Sequence, residues 1–404
     1  MKRNYCMKIR IYPNEDQIRI IENTFSAVRF MWNKLLEKAI LIYDNTYEDF
    51  YIPLYGDVVR ENEFLGKSNK EFKFDRHAVS IERTFLGQTF TRYFNGLKNN
   101  KIKIRKDGRP QGFPRFKTRK HSKDSYSNYM GHTVHINQHE HMIKIPRLKW
   151  VKYNPRERRI IPDDWIIKHI TVSKSTLGKY YCSICFEYED NREGICGVGF
   201  IRHINDDIKI LGLDYSSSSL YVDSNGDKAN YPKYYIHSLK RLRMLNKQLS
   251  RRHRGSKGYN ETLHRLRVLH EKISNQRKDF LHKLSTAITK QYDVICFEDI
   301  NMINMSHCLR LGKSTLDNGF GMFREMLQYK QDRIPYHIII KADKWYPSSK
   351  RCSCCGNINK DLALKDRVYR CHNCGNVIDR DFNAAINLVI YGMNEINKMR
   401  IDCA

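Results

Sequence analysis

Alternation of apolar and charged positions from Tyr5 to Tyr12 predicts a β-strand, ended by a turn at Pro13-Asn14. Ile18, Ile21, Phe25, Val28, Trp32 and Leu35 then recur at three- and four-residue spacing, the single apolar stripe of a core-facing helix. A second amphipathic helix is expected around 78–97, carrying Ile81, Phe85, Phe90, Phe94 and Leu97. Strand-like segments return at Met142 to Ile145, Trp165 to Val172 and Tyr180 to Tyr188, so a β-rich unit follows the helices. Residues 190–205 read as a linker, after which a new domain starts with the strand Ile208 to Asp214. Leu242, Leu245 and Leu249, then Leu263, Leu266, Ile273, Phe280 and Leu284, predict an antiparallel helical hairpin over 238–290, broken at Gly255-Ser256-Lys257-Gly258. Tyr292 to Phe297 is apolar on both faces, as a central strand is. No repeat of fixed period and no low-complexity tract interrupts this order.

With 404 residues, there is chain enough for two or three domains with real cores, and the 41% apolar content argues against wholesale disorder. No run approaches the roughly 18 apolar residues of a membrane span. The start, Met1 to Lys8, is basic but lacks the apolar stretch of about 7 to 15 residues that a secretory signal needs, so a cytoplasmic protein is expected. Charge changes the picture more: 72 Lys and Arg against 44 Asp and Glu leave a net charge of +28, well beyond what solubility requires. A polyanionic partner follows, and without a lipidation motif or a basic amphipathic anchor helix that partner is nucleic acid rather than a membrane surface. Two segments concentrate the charge. Residues 98–120 hold ten Lys and Arg against the single acid Asp107, interrupted by Phe113, Pro114 and Phe116, a mixture suited to phosphate contacts with aromatic stacking; a solvated basic loop is the simpler alternative. The hairpin at 238–290 holds fifteen Lys and Arg against Glu261, Glu271 and Asp279, so one face packs and the other is expected to hold phosphates.

Five of the twelve cysteines crowd into 352–374. Cys352-Ser353-Cys354-Cys355-Gly356 and Cys371-His372-Asn373-Cys374-Gly375 are two matched CxxC knuckles, and the four sulfurs of Cys352, Cys355, Cys371 and Cys374 complete a closed tetrahedral Zn²⁺ shell, structural rather than catalytic. Cys354 is spare. Cys182-Ser183-Ile184-Cys185 also spells CxxC but lies in an expected strand without a second pair, and reads as core. His132, His135, His139 and His141 have only Glu140 as a nearby carboxylate and read as exposed or locally bonded.

Three acids stand where acids are expensive. Asp214 and Glu298 end apolar strands, and Asp381 opens a helix in which Ala384, Ala385, Leu388 and Val389 share its stripe while Asp379 lies outside it. Helix capping is the simpler account of any one such Asp. Together the three suit two Mg²⁺ ions roughly 3.5 to 4 Å apart performing in-line phosphodiester hydrolysis, the logic of the RNase H-like nuclease fold, with cuts leaving 5′-phosphate ends.

The sequence resembles the transposon-encoded TnpB family (OrfB of insertion sequences), which is related to the type V CRISPR effectors. The resemblance is carried by Gly212-Leu213-Asp214, Asn275 to Leu284, Phe297-Glu298-Asp299-Ile300-Asn301, Gly319 to Phe323, Trp345-Tyr346-Pro347-Ser348-Ser349-Lys350, the four zinc cysteines and Asp379 to Ala385. It is looser upstream, at Arg10 to Asn14 and Pro114 to Lys117. It implies an RNA-guided DNA endonuclease that binds a guide RNA made from the transposon end, reads a short motif in duplex DNA and cuts target DNA complementary to the guide. Its RuvC-like triad falls on Asp214, Glu298 and Asp381, and its zinc ribbon on Cys352, Cys355, Cys371 and Cys374. The implied fold class is an α+β multidomain chain: a β-barrel with a helical recognition insert of about 15–120 within 1–200, a RuvC-like domain at 206–390 with an inserted ribbon at 345–378, and a tail at 391–404. It also implies a gating loop near the metal site, for which 302–318 is the candidate, and work at the nucleoid of a prokaryotic cell. Tyr215-Ser216 stand where many relatives have a nearby glycine and Phe297 where Val or Ile is common, but neither change removes a ligand. Two other readings stay open: a guided DNA-binding regulator that does not cleave, and an unguided resolvase or transposase with the same metal chemistry.

Overall fold

The computed structural model describes residues 1–45, 50–66, 72–99, 110–119, 123–192, 208–302, 305, 317–363 and 366–401. These form two compact units, 1–190 and 191–404. Most of the expected linker at 190–205 lies outside the described residues.

In the first unit, β1 (Lys2–Tyr12) buries Met7, Ile9 and Ile11 and exposes the cations between them. Asn14 and Gln17 then cap α1 (Glu15–Asn45) reciprocally: Gln17 N–H donates to Asn14 Oδ1 at 2.9 Å and Asn14 N–H to Gln17 Oε1 at 3.0 Å. The expected stripe is the buried one, with Ile21, Phe25, Val28, Trp32 and Leu35 all in the core. α2 (Tyr55–Glu61), α3 (Arg76–Ser80) and α4 (Glu82–Asn99) follow before the chain returns to strand. The helix expected at 78–97 is therefore two, parted at Ile81, and the first is capped by Asp75, which accepts from Ala78 N–H at 3.1 Å.

Seven strands make one antiparallel sheet in the order β2-β6-β7-β1-β5-β4-β3, where β2 is Ser125–Asn128, β3 His135–Asn137, β4 Met142–Ile145, β5 Lys149–Tyr153, β6 Ile166–Lys174 and β7 Tyr180–Glu189. The first strand of the chain is central, paired with β7 from Lys2↔Glu189 to Ile11↔Tyr180. The expected closed barrel is not found: among the described residues, the end strands β2 and β3 do not pair with each other. Both are short, and the 3-10 turn joining them (Gly131–Thr133) lies against β6, so closely that a Cβ on Gly131 would collide with the Ile167 carbonyl oxygen.

The second unit is built on β8 (Ile210–Ser216), β9 (Leu220–Asp223), β10 (Val294–Glu298) and β11 (Ile338–Ala342), in the order β11-β10-β8-β9. β8, β10 and β11 are parallel and β9 returns antiparallel. Val294 to Phe297 is buried throughout because both faces are covered. On one face Leu211, Leu213, Ile295 and Phe297 pack with α6 (Lys257–Gln291) and α7 (Phe320–Gln331); on the other Val294, Cys296 and Ile340 pack with α8 (Arg380–Ile401). α5 (Tyr234–Ser250) and α6 form the expected hairpin, sealed by Leu242, Leu245, Leu266, Leu269 and Ile273. A small antiparallel ribbon, β12 (Val368–Arg370) and β13 (Val377–Asp379), precedes α8. Residues 391–401, expected as a tail, continue α8: Ile396 is buried, and Gly392 meets the sheet so closely that a Cβ there would collide with Cys296 Sγ.

α8 lies directly on the β8 backbone. Gly212 faces Ala385, and a Cβ at 212 would run into the Ala385 carbonyl oxygen, an obstacle that no side-chain rotation relieves. Gly212→Ala is therefore expected to destabilise the protein by about 1–3 kcal/mol, the usual cost of overpacking, read as a lowered midpoint in thermal or urea unfolding. An unchanged midpoint would show that helix and strand stand further apart.

Candidate active site and metal centre

Register brings the first two acids together. β10 runs parallel to β8 with Cys296 opposite Gly212 and Phe297 opposite Leu213, so the next positions, Glu298 and Asp214, are neighbours at the carboxyl ends of adjacent strands, the end at which open parallel sheets hold ligands. Alternation puts both side chains on the face covered by α8, with Gly212 and Cys296. Asp381 comes from the first turn of α8, whose next turns bury Ala384, Ala385 and Leu388 on the sheet. Asp214, Glu298 and Asp381 line one cleft of about 700 Å³, together with Lys350, Arg367 and Arg380.

The cleft is electrostatically loaded. Asp214 is only 8% exposed. Burial first, then the charges of Glu298 and Asp381, hold its carboxyl well above the ordinary carboxylate range, with Arg380 opposing. Burial also raises Glu298, against a hydrogen bond donated by the Ser348 hydroxyl. Asp381 accepts from Arg380 Nε at 3.2 Å and Nη2 at 3.0 Å, and Arg367 Nη1 stands 3.7 Å from its other oxygen. The capping alternative falls to its neighbour: Asp379 Oδ1 accepts the Asp381 and Phe382 N–H groups, each at 3.0 Å, leaving the Asp381 carboxylate to face the cleft.

The four cysteines form a second centre. Ligand atoms of Cys352, Cys355, Cys371 and Cys374 lie within 4.8 Å of one another, the only such group of three or more His, Cys, Asp or Glu among the described residues. Two knuckles of the same build produce it. Cys352 N–H donates to Asn357 O and Gly356 N–H to Cys352 O; Cys371 N–H donates to Asn376 O and Gly375 N–H to Cys371 O, with distances of 2.8 to 3.0 Å. Each turn ends on a glycine at φ +74°, a left-handed conformation that a side chain would strain. Asn373 and Asn376 aim amide hydrogens at Cys355 and Cys352 Sγ, which favours the thiolates that bind a metal ion. Cys354 is outside the group and exposed. Cys182 is core, its thiol pushed up to about 12 by burial alone.

Of the hairpin's fifteen cations, all but Arg277 are exposed. Arg277 instead pairs with the buried Asp317 at 3.4 Å. Asp317 also accepts Tyr235 N–H at 3.0 Å and Ile236 N–H at 3.3 Å, holding a carboxylate at the start of α5, where the helix dipole favours it. The rest of the expected gating segment, 303, 304 and 306–316, lies outside the described residues. So do 100–109 and 120 of the basic tract at 98–120. Of its aromatics, Phe113 is core and cannot stack on a base, whereas Phe116 is exposed beside Arg115 and Arg119. Asn33 on α1 holds this strip by exchanging two hydrogen bonds with the Lys117 backbone, at 2.7 and 2.8 Å.

Sequence reasoning missed Ser348, Asn383 and Asn387, all buried around the acids. A signal was present: Asn383 and Asn387 are polar residues on the stripe of α8 otherwise made of Ala384, Ala385 and Leu388.

Three family profiles match the chain: a probable transposase profile named for OrfB of IS605 over 183–309, a helix-turn-helix profile of the same OrfB over 1–46, and a Cas12f1-like TNB domain over 320–388. Where the second matches, the chain forms one strand and one 31-residue helix, β1 and α1. The chain is 26% identical over 391 residues to a protein of Streptomyces pristinaespiralis named as a candidate RNA-guided DNA endonuclease, covering 96% of this chain and 89% of that protein. It is 26% identical over 412 residues to InsQ of Escherichia coli K12, similarly named, covering 97% and 93%. Over 144 residues it is 27% identical to the CRISPR-associated endodeoxyribonuclease Cas12f1 of Sulfoacidibacillus thermotolerans, covering 35% of this chain and 34% of that one. With both OrfB profiles matched and relatives aligned along nearly its whole length, the chain is similar to the TnpB (OrfB) family.

Proposed function

We propose that this protein is an RNA-guided, divalent-metal-dependent DNA endonuclease of a transposable element, cutting target DNA by phosphodiester hydrolysis at Asp214, Glu298 and Asp381. The observation that carries the proposal is the convergence of these three carboxylates, from β8, β10 and α8, on one cleft whose rim also holds Lys350 and Arg367. A mixed sheet with three parallel strands and helices on both faces supports an RNase H-like reading of 206–390, with the ribbon at 345–378 as an insert. The names of the relatives support a guide RNA and a DNA target as partners, and so work in the cytoplasm at the nucleoid.

The donor set suits hard cations: three carboxylates, two of them raised by burial and needing positive charge. When bound, Mg²⁺ would activate water for in-line attack and neutralise charge on the leaving 3′ oxygen. The chain's own part is positional. β8 and β10 present Asp214 and Glu298 from fixed backbone, α8 brings Asp381 opposite, and Lys350 and Arg367 draw the phosphate backbone into the cleft. Arg380 and Arg367 hold the Asp381 carboxylate in the cleft. The Cys352, Cys355, Cys371 and Cys374 cluster fits Zn²⁺, since four sulfurs leave no open position for chemistry. The exposed cations of α5 and α6 are assigned to nucleic-acid backbones.

The decisive experiment purifies the protein expressed with its flanking DNA, sequences the RNA that copurifies and challenges the complex with duplexes matching that RNA. A discrete RNA and cleavage that Asp214→Ala abolishes, with target binding retained, are expected; undiminished cleavage by Asp214→Ala would sink the assignment. Stability should move the other way. Both raised carboxylates favour the folded state below the ordinary carboxylate range and lose that contribution as pH rises through their raised folded values. Asp214→Asn is thus expected to raise the melting temperature in Mg²⁺-free buffer at neutral pH by on the order of a few degrees, and a lowered one would contradict the charge argument. Zinc analysis of Cys371→Ser/Cys374→Ser should find the ion lost, whereas one zinc retained in a folded double variant would mean that the ligands are others. Changing Lys240, Arg243, Lys247 and Arg265 to Gln should flatten the plot of log affinity against log salt, by about 0.9 per lost contact to duplex. An unaltered slope would remove the hairpin from the interface.

A further inference from the structure

The strap from Tyr346 to Ser353 joins the two centres of the second unit. At one end the Ser348 hydroxyl, on a residue 1% exposed, donates to Glu298 Oε1. At the other the chain enters the first cysteine knuckle at Cys352. Between them α8 grips the strap by four bonds: Asn387 Nδ2 donates to Ser348 O at 2.8 Å and to Arg351 O at 2.6 Å, Asn383 Nδ2 donates to Arg351 O at 2.7 Å, and Asn383 Oδ1 accepts Ser353 N–H at 2.9 Å. The Tyr346 hydroxyl adds a fifth, to Asn387 O at 3.0 Å.

The chemistry of this grip is selective. Asn383 and Asn387 are fully buried one turn apart on α8, immediately after Asp381. Asn387 commits both amide hydrogens to the strap while its own Oδ1 is buried without a hydrogen-bond partner among the described residues, an unfavourable state in a protein interior. A side chain kept at that cost is kept for its donors. Those donors fix the Ser348 carbonyl, and with it the hydroxyl that aims Glu298, to the same helix that carries Asp381.

We infer that Ser348 and Asn387 are positioning residues for the acid site, setting the spacing of Glu298 from Asp381 and thereby the affinity of the site for divalent cations. This rests on the reading of Asp214, Glu298 and Asp381 as the metal-binding acids. Partners behind a ligating carboxylate orient it, and their loss typically weakens metal binding by about 10- to 100-fold. The same strap makes the cysteine centre part of the device, because Arg351 and Ser353, two of the gripped residues, flank Cys352.

The test uses the RNA-bound protein, with Mn²⁺ as probe. Mn²⁺ binding is measured by calorimetry or electron paramagnetic resonance without target DNA, beside the Mg²⁺ concentration for half-maximal cleavage, zinc content and target affinity. Ser348→Ala is expected to weaken Mn²⁺ binding about tenfold and to raise the Mg²⁺ requirement in parallel, leaving zinc content and target affinity unchanged. Ser348→Thr, which restores the hydroxyl, should recover most of both. Asn387→Leu, of similar size but without the donors, should act in the same direction, and should it fail to fold, Ser348→Ala carries the test alone. Parent-like Mn²⁺ affinity and Mg²⁺ dependence in Ser348→Ala, beside an Asp214→Ala control that has lost both binding and cleavage, would overturn this inference and leave the acid site standing. An Asp214→Ala control that binds and cuts like the parent would overturn both.

Discussion

The second unit depends on one close approach, α8 laid on the backbone of β8 at Gly212. A helix usually meets a sheet through a layer of side chains, but Gly212, Ala384 and Ala385 leave almost none, so helix and strand backbones are in contact. The acids follow from it. Asp214 lies two residues beyond Gly212 on the same face, Asp381 lies one turn before Ala384 and Ala385, and Glu298 is placed by parallel register with β8. The contact that gives the sheet its cover thus drives three carboxyl groups into one poorly solvated space. Their mutual repulsion is a local cost carried by a well-packed surrounding, with Val294, Cys296, Leu388 and Ile396 supplying apolar burial around it.

The ribbon solves a different problem. Its apolar core is small, Tyr369 with Cys352 and Cys371, too little to hold a stretch of chain this long by burial alone. Two knuckles closed by their own backbone hydrogen bonds present four sulfurs, and an ion there would contribute the cross-linking that the core lacks. Because the strap enters the first knuckle beside Arg351, rigidity gained at the sulfurs reaches α8 through Asn383 and Asn387.

How much of this was legible in the sequence varies with the physics involved. Spacing alone located the four cysteines, because two matched CxxC turns suit a tetrahedral ion and little else. The acids were legible because a charge at the end of an apolar strand conflicts with its surroundings, and the parallel sheet resolves the conflict by placing Asp214 beside Glu298. The hairpin's seam was legible from leucine periodicity, but the fate of Arg277 was not, since its partner Asp317 lies outside the hairpin and no local pattern announces a buried ion pair. Phe113 misled for the same reason: amid lysines it looked like a stacking surface, yet tertiary packing puts it in an aromatic core with Tyr43, Phe90 and Tyr93. The open sheet and the continuation of α8 past 391 depend on long-range pairing and packing, which local alternation does not encode.

The place of α8 in the chain has a consequence for timing. It follows every other described element of its unit, yet it covers β8, the first of them. A ribosome delivers the strands bearing Asp214 and Glu298 well before the helix bearing Asp381, and domains form as their last required segment emerges. Until then the sheet lacks its cover and the cleft lacks a wall. A nascent or prematurely stopped chain that lacks α8 therefore carries two of the three acids on an unfinished scaffold, and the cleft is whole only in molecules in which α8 has been made.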